Sequence, residues 1–133
     1  MKNCIFCKIA KKEISSVKIW EDKKHLAILD ISPNTEGMTL VITKEHYDSN
    51  ATDMPDEPYK ELMMTAKKVA KFLEKKLKVK RVVMVMEGMG VNHAHIKLYP
   101  IYKSNEIKGY ITTQLGPRKS TEELNKVRNK IVN

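Results

Sequence analysis

The chain has 133 residues, 41% of them hydrophobic, which suits one packed domain and leaves too little length for two ordinary ones. No run approaches 18 apolar residues, so no segment is expected to span a membrane. Twenty-five Lys and Arg against 16 Asp and Glu give a net charge of +9, and two cysteines cannot form a disulfide framework. Lys8 arrives before a signal-peptide core can form, so a soluble, cytoplasmic protein is expected.

In chain order, residues 4–10, CIFCKIA, predict a short helical turn. Val17 to Trp20 and Leu26 to Asp30 predict two strands joined by the polar turn from Glu21 to Lys24. Ser32, Pro33, Asn34 and Gly37 are loop residues, and Met38 to Thr43 reads as a third strand. A polar loop from Asn50 to Pro58 leads into a long helix. Tyr59, Leu62, Met63, Ala66, Val69, Ala70, Leu73 and Leu77 recur there at helical spacing, and Asp56, Glu57 and Pro58 suit its first turn. Val82 to Met86 predicts a strand, Glu87 to Gly90 a turn, and His93 to Pro100 another strand. Lys103 to Lys119 reads as irregular, and Ser120 to Glu123 opens a short helix over 120–132 with a capping box. The expectation is one α+β domain over residues 1–133, an antiparallel sheet with a long and a short helix on one face.

The basic excess concentrates at residues 67–81, which hold eight Lys and Arg. A polyanion site is one reading. The apolar residues between the lysines favour the solvated face of an amphipathic helix, and no aromatic-rich nucleic-acid motif accompanies them. Nucleic acid is therefore not the expected partner, although a positive field assists capture of small anions.

The stretch Gly90-Val-Asn-His-Ala-His-Ile-Lys-Leu-Tyr-Pro100 carries the most chemistry. Alternation along a strand puts His93, His95, Lys97 and Tyr99 on one face, about 7 Å apart. Ala94, Ile96 and Leu98 then face a core. A neutral imidazole is a good nucleophile toward phosphorus, and a lysine ammonium is a compact phosphate ligand. The glycines just before this row let backbone N–H groups approach an anion. Cys4-x-x-Cys7 is compatible with half a zinc site, with inert thiols or with a redox pair. The imidazoles available to complete a zinc site are His25, His46, His93 and His95. Asp30, at the end of an apolar strand, suits a turn cap or an acceptor for sugar hydroxyls.

Taken in order, Cys4 to Ile9, Trp20-Glu-Asp, Leu26 to Pro33, Gly37 to His46 and His93 to Pro100 resemble the histidine triad (HIT) superfamily of nucleotide hydrolases and transferases. The resemblance runs from Cys4 to about Tyr102. It implies that His95 is a nucleophile that attacks the α-phosphate and forms a nucleotidyl-histidine, which water hydrolyses. It matches Lys97 to the third triad position, Asp30 to a ribose ligand, and Phe6, Ile9, Ile28, Leu29 and Ile31 to the lining of a base pocket. It assigns a structural zinc ion to Cys4, Cys7, His46 and His93. A homodimer sharing its sheet is implied as well.

Two departures stand out. Lysine replaces histidine at position 97, as glutamine does in the galactose-1-phosphate uridylyltransferase branch. The segment Met86 to Asn92 is also shorter than in relatives and lacks their phosphate-contacting serine, leaving Asn92 or backbone amides as substitutes. The leading expectation is a hydrolase of nucleoside phosphoramidates or related mononucleotide adducts, with dinucleoside polyphosphates as the next substrate class. The alternatives are a catalytically weak purine-nucleotide-binding module and a zinc-stabilised nucleic-acid binder.

Overall fold

The computed structural model describes residues 3–103 and 114–133. Five strands, β1 (Lys18–Glu21), β2 (His25–Leu29), β3 (Thr39–Thr43), β4 (Arg81–Val85) and β5 (His95–Ile101), form one antiparallel sheet in the order β1-β2-β3-β5-β4. Among the described residues the α-helices are α1 (Ile5–Ala10), α2 (Asp56–Leu77) and α3 (Thr121–Val132), with a short 3-10 helix at Ala51–Asp53. The α+β expectation holds. The predicted irregular stretch from Lys103 to Lys119 falls mostly outside the described residues, and its described end, 114–119, has no helix or strand.

Strand alternation sorts the side chains of the sheet into two cores. Ala27, Leu29, Val41, Ile96 and Leu98 pack beneath α2, against Leu62, Ala66, Val69 and Leu73. Leu124 and Ile131 of α3 join the same cluster, so the long and short helices cover one face as expected. The opposite face gathers Leu26, Ile28, Leu40 and Ile42 around Phe6 and Ile9 of α1. The sheet is therefore buried on both faces, and β2 and β3 are buried at every position. The lysines of α2, Lys60, Lys67, Lys68, Lys71, Lys75 and Lys76, lie on its exposed side.

Helix ends follow their local chemistry. Asp56 and Glu57 occupy the first turn of α2, where the backbone dipole favours negative charge. At the start of α3, the Glu123 N–H donates to Ser120 Oγ at 3.1 Å, and the Ser120 N–H donates to Glu123 Oε1 at 3.1 Å. Ser120→Ala should lower unfolding stability by about 1 kcal/mol in urea denaturation, the usual contribution of such a cap.

One sequence expectation is corrected. The strand thought to begin at His93 begins at His95, and His93 lies in a bend whose N–H donates to Val91 O at 2.9 Å. The bend releases the His93 ring from the row formed by the later residues.

Candidate functional site

The bend turns His93 toward the N-terminal cysteines. Its Nδ1 lies 3.2 Å from Cys4 Sγ and 3.4 Å from Cys7 Sγ, and His46 Nδ1 lies 3.4 Å from Cys7 Sγ. One ligand atom from each of Cys4, Cys7, His46 and His93 falls within 4.8 Å of the others. A tetrahedral zinc ion with ordinary bond lengths has S···N edges of about 3.6 Å, so the spacing fits such an ion. The tautomer fits as well. His93 Nε2 lies 2.6 Å from the Thr43 carbonyl, which fixes the ring proton there and leaves the Nδ1 lone pair facing the sulfurs. Burial holds the His93 imidazole below the usual histidine range, so it is neutral, as a metal ligand must be. Cys4 also caps α1, its Sγ accepting the Cys7 N–H at 3.3 Å. His25 stands apart, with Nδ1 3.2 Å from Asp22 Oδ1 and 3.1 Å from Thr65 Oγ1.

The α1 face of the sheet also carries His95 and Lys97, because Ile96 and Leu98 point into the core under α2. His95 is paired across the sheet with Ile42, and Lys97 lies between Leu40 and Val85. The His95 Nδ1–H donates to His93 O at 2.7 Å, leaving Nε2 with its lone pair. Phe6 meets the His95 ring edge-on at 5.1 Å between centroids. Burial pushes the His95 imidazole below the usual histidine range. Lys97 adds to that effect, against the His93 carbonyl bond and the carboxylates of Glu87 and Asp30. The ring is only 3% exposed, a deeper position than the open polar row the sequence suggested.

Lys97 is not a free cation. Its Nζ lies 2.8 Å from Glu87 Oε1, and both side chains are mostly buried. Nothing in the local pattern marks Glu87 as this partner beyond its place in a turn. Thr43, whose carbonyl orients His93, was equally invisible, because a backbone acceptor leaves no trace in side-chain identity.

The positions matched to a base pocket separate. Phe6, Ile9 and Ile28 form one cluster on the α1 face. Alternation along β2 sends the Leu29 side chain to the other face, into the core under α2, where it also lines the cavity that Asp30 borders. Ile31 is 48% exposed beyond the end of that strand. Asn92 Oδ1 accepts the Ser49 N–H at 3.0 Å and so ties two loops together, a contact that engages the amide oxygen and not the Nδ2 donors a phosphate would use. Asp30 is buried, and its Oδ1 accepts the Ser32 N–H at 2.8 Å, the turn-capping role. It also borders a cavity of about 600 Å³ between the β2–β3 loop and α3. The C-terminal segment straps this loop, with Gly116 N–H donating to Ser32 O at 3.1 Å and Lys119 N–H to Ile31 O at 2.7 Å. A Cβ on Gly116 would stand 2.1 Å from Pro33 O, so Gly116→Ala should displace the strap and lower the melting temperature by several degrees in a calorimetric scan.

The geometry has counterparts among known proteins. The HIT domain model matches residues 11–103. Adenosine 5'-monophosphoramidase HNT1 of Saccharomyces cerevisiae is 40% identical over 111 residues, covering 81% of this chain and 67% of its own. An uncharacterized HIT-like protein of Borreliella burgdorferi is 36% identical over 112 residues, covering 79% of this chain and 80% of its own. The crystal structure of a Zn-bound histidine triad family protein from Mycobacterium smegmatis superposes with a TM-score of 0.77 at 26% identity, over 98% of this chain and 94% of that one. With a matching domain model over most of its length, the chain belongs to the HIT family.

Proposed function

We propose that the chain is a nucleotide hydrolase acting on nucleoside phosphoramidates or related mononucleotide adducts, with His95 as its nucleophile. The observation that carries this reading is the His95 tautomer: Nδ1–H is held by the His93 carbonyl, and Nε2 is left as a neutral lone pair beside Lys97. The yeast relative's phosphoramidase activity supports the substrate class. In this mechanism Nε2 attacks the α-phosphorus, forming a P–N bond to His95 while the bond to the leaving amine breaks. The amine departs with the electron pair and takes up a proton. Water then attacks the nucleotidyl-histidine and regenerates the imidazole. Lys97, in the place of the third triad histidine, steadies the phosphate oxygens. Asp30 anchors the ribose, while Phe6, Ile9, Ile28 and Ile31 border a purine base. Hydrolysis of adenosine phosphoramidate to AMP, compared between wild type and His95→Ala, tests the assignment. Dinucleoside polyphosphates are the next substrate class.

Cys4, Cys7, His46 and His93 would hold zinc. With four protein ligands the ion is closed to substrate and structural, joining α1 to the bend that leads into β5. A cytoplasmic location, where thiols stay reduced, suits that role. We also propose a homodimer. Among the described residues the outer side of β4 ends the sheet, and an unpaired strand edge is a ready pairing surface. Light scattering should then give about twice the chain mass of 15.3 kDa.

A second reading has its own observation. His95 is 3% exposed and Lys97 is engaged by Glu87, which suits a purine-nucleotide-binding module with little turnover. Calorimetric AMP binding without AMP production from the phosphoramidate would favour it.

A further inference from the structure

The turn before β5 brings an acidic residue into the row of imidazole and ammonium groups. Glu87 Oε1 lies 2.8 Å from Lys97 Nζ, and the side chains are 20% and 13% exposed. The carboxylate is anchored at its other oxygen, since Oε2 accepts the Met89 N–H at 2.9 Å. The turn itself is pinned. Gly88 has φ +63°, and a Cβ there would stand 2.3 Å from Ser49 O. The Ser49 hydroxyl donates to Gly88 O at 2.7 Å, and Asn92 holds the Ser49 N–H. Burial pushes the Glu87 carboxyl up, but the Lys97 hydrogen bond, the Met89 amide and the Lys97 charge bring it below the usual range. Glu87 is thus a fixed negative charge whose field reaches His95.

We propose that Glu87 and Lys97 act as a charge-selecting pair beside His95, so that the site accepts nucleoside monophosphates joined to neutral or cationic amines and disfavours those joined to further phosphates. The proposal rests on the nucleotidyl-transfer reading above and adds its leaving-group preference. A lone lysine would attract any polyanion, and more strongly the more phosphates it carried. Paired with a carboxylate, its charge is largely balanced. An ammonium has three donors, so one bond to Glu87 does not exhaust its capacity for a phosphate oxygen. The α-phosphate can still be held, while a second phosphate meets the Glu87 carboxylate. As the P–N bond of a phosphoramidate breaks, the nitrogen keeps the bonding pair and one proton from water makes it a neutral amine, which carries no charge into the carboxylate's field; a second proton from water then gives an ammonium, which the same carboxylate favours. When the P–O bond of a polyphosphate breaks, the leaving phosphate carries its negative charge through that field.

The test compares wild type, Glu87→Gln and Glu87→Asp on two probes: an adenosine phosphoramidate of 1,4-diaminobutane and diadenosine tetraphosphate. Wild type should prefer the phosphoramidate in kcat/KM. Glu87→Gln, similar in shape but uncharged, should narrow that preference about tenfold, the scale of one unit charge at short range in a partly buried site. Glu87→Asp should keep the preference, and a loss matching that of Gln would show that shape rather than charge selects, overturning the proposal. An unchanged ratio in Glu87→Gln, or an equal change on both probes, would overturn it too. AMP and ADP affinities of the same proteins, measured by calorimetry, separate this proposal from the catalytic reading. If wild type turns over neither probe, the hydrolase assignment fails. The charge-selection proposal then stands if Glu87→Gln tightens ADP relative to AMP about tenfold, and falls if it does not.

Discussion

Replacing His95 by alanine is expected to lower turnover of adenosine phosphoramidate by at least about 10⁴-fold, while AMP affinity changes only a few-fold. The large factor follows from the kind of group removed. Loss of a covalent nucleophile eliminates the two-step route, and what remains is the stabilisation that binding and the Lys97 cation give to direct attack by water. The small binding effect follows if the base packs against Phe6, Ile9 and Ile28, which hold one another in one apolar cluster even though Phe6 also meets the His95 ring. Burial holds the His95 imidazole below its ordinary pKa of 6.5, so the nucleophilic form persists into mildly acidic solution. The acid limb of kcat/KM should therefore fall at lower pH than an exposed histidine would give, as protonation removes the Nε2 lone pair. A His95→Ala protein within tenfold of wild type would place the chemistry elsewhere.

The second large effect is expected at the proposed zinc site. A strong chelator, or Cys7→Ala, should lower the melting temperature by about 15 °C. Ligand held at about a thousandfold over its Kd contributes about 4 kcal/mol to the folded state, and for a chain of this length that corresponds to a shift of this size. The physical reason is the reach of the four donors. Cys4 and Cys7 belong to the N-terminal helix, His46 follows β3, and His93 precedes β5, so one ion closes long loops of chain. Binding must displace the thiol protons, and burial raises the Cys7 pKa, so affinity should rise with pH across the thiol range. Metal content measured by atomic absorption alongside calorimetry checks both points. A chain that melts at the same temperature with and without chelator would leave the four residues without a structural metal role.

Much of this molecule is legible without coordinates. The apolar period of α2 yields its core residues Leu62, Ala66, Val69, Ala70 and Leu73, all buried. The β-branched runs give the strands to within a residue or two. The Cys-x-x-Cys pair, His46 and His93 converge as the family resemblance implies. Leu29 and Asn92 show where such reading stops. Leu29 shares its segment with Ile28, and only strand alternation puts them on opposite faces. Asn92 ties its loop to Ser49 through Oδ1, a distant contact that no local pattern signals.

The order of residues alone settles what recurs along the chain: which segments are helix or strand, which faces are apolar, and which ligand types and candidate nucleophile are present. These depend on near neighbours, through spacings of two or of three to four residues. Tertiary structure decides whatever joins distant residues. It turns His93 out of the strand to meet Cys4, fixes the His95 proton on Nδ1, and sets Glu87 against Lys97. Those outcomes depend on a bend and a glycine turn that bring groups within 3.5 Å of each other, and no local pattern specifies that distance.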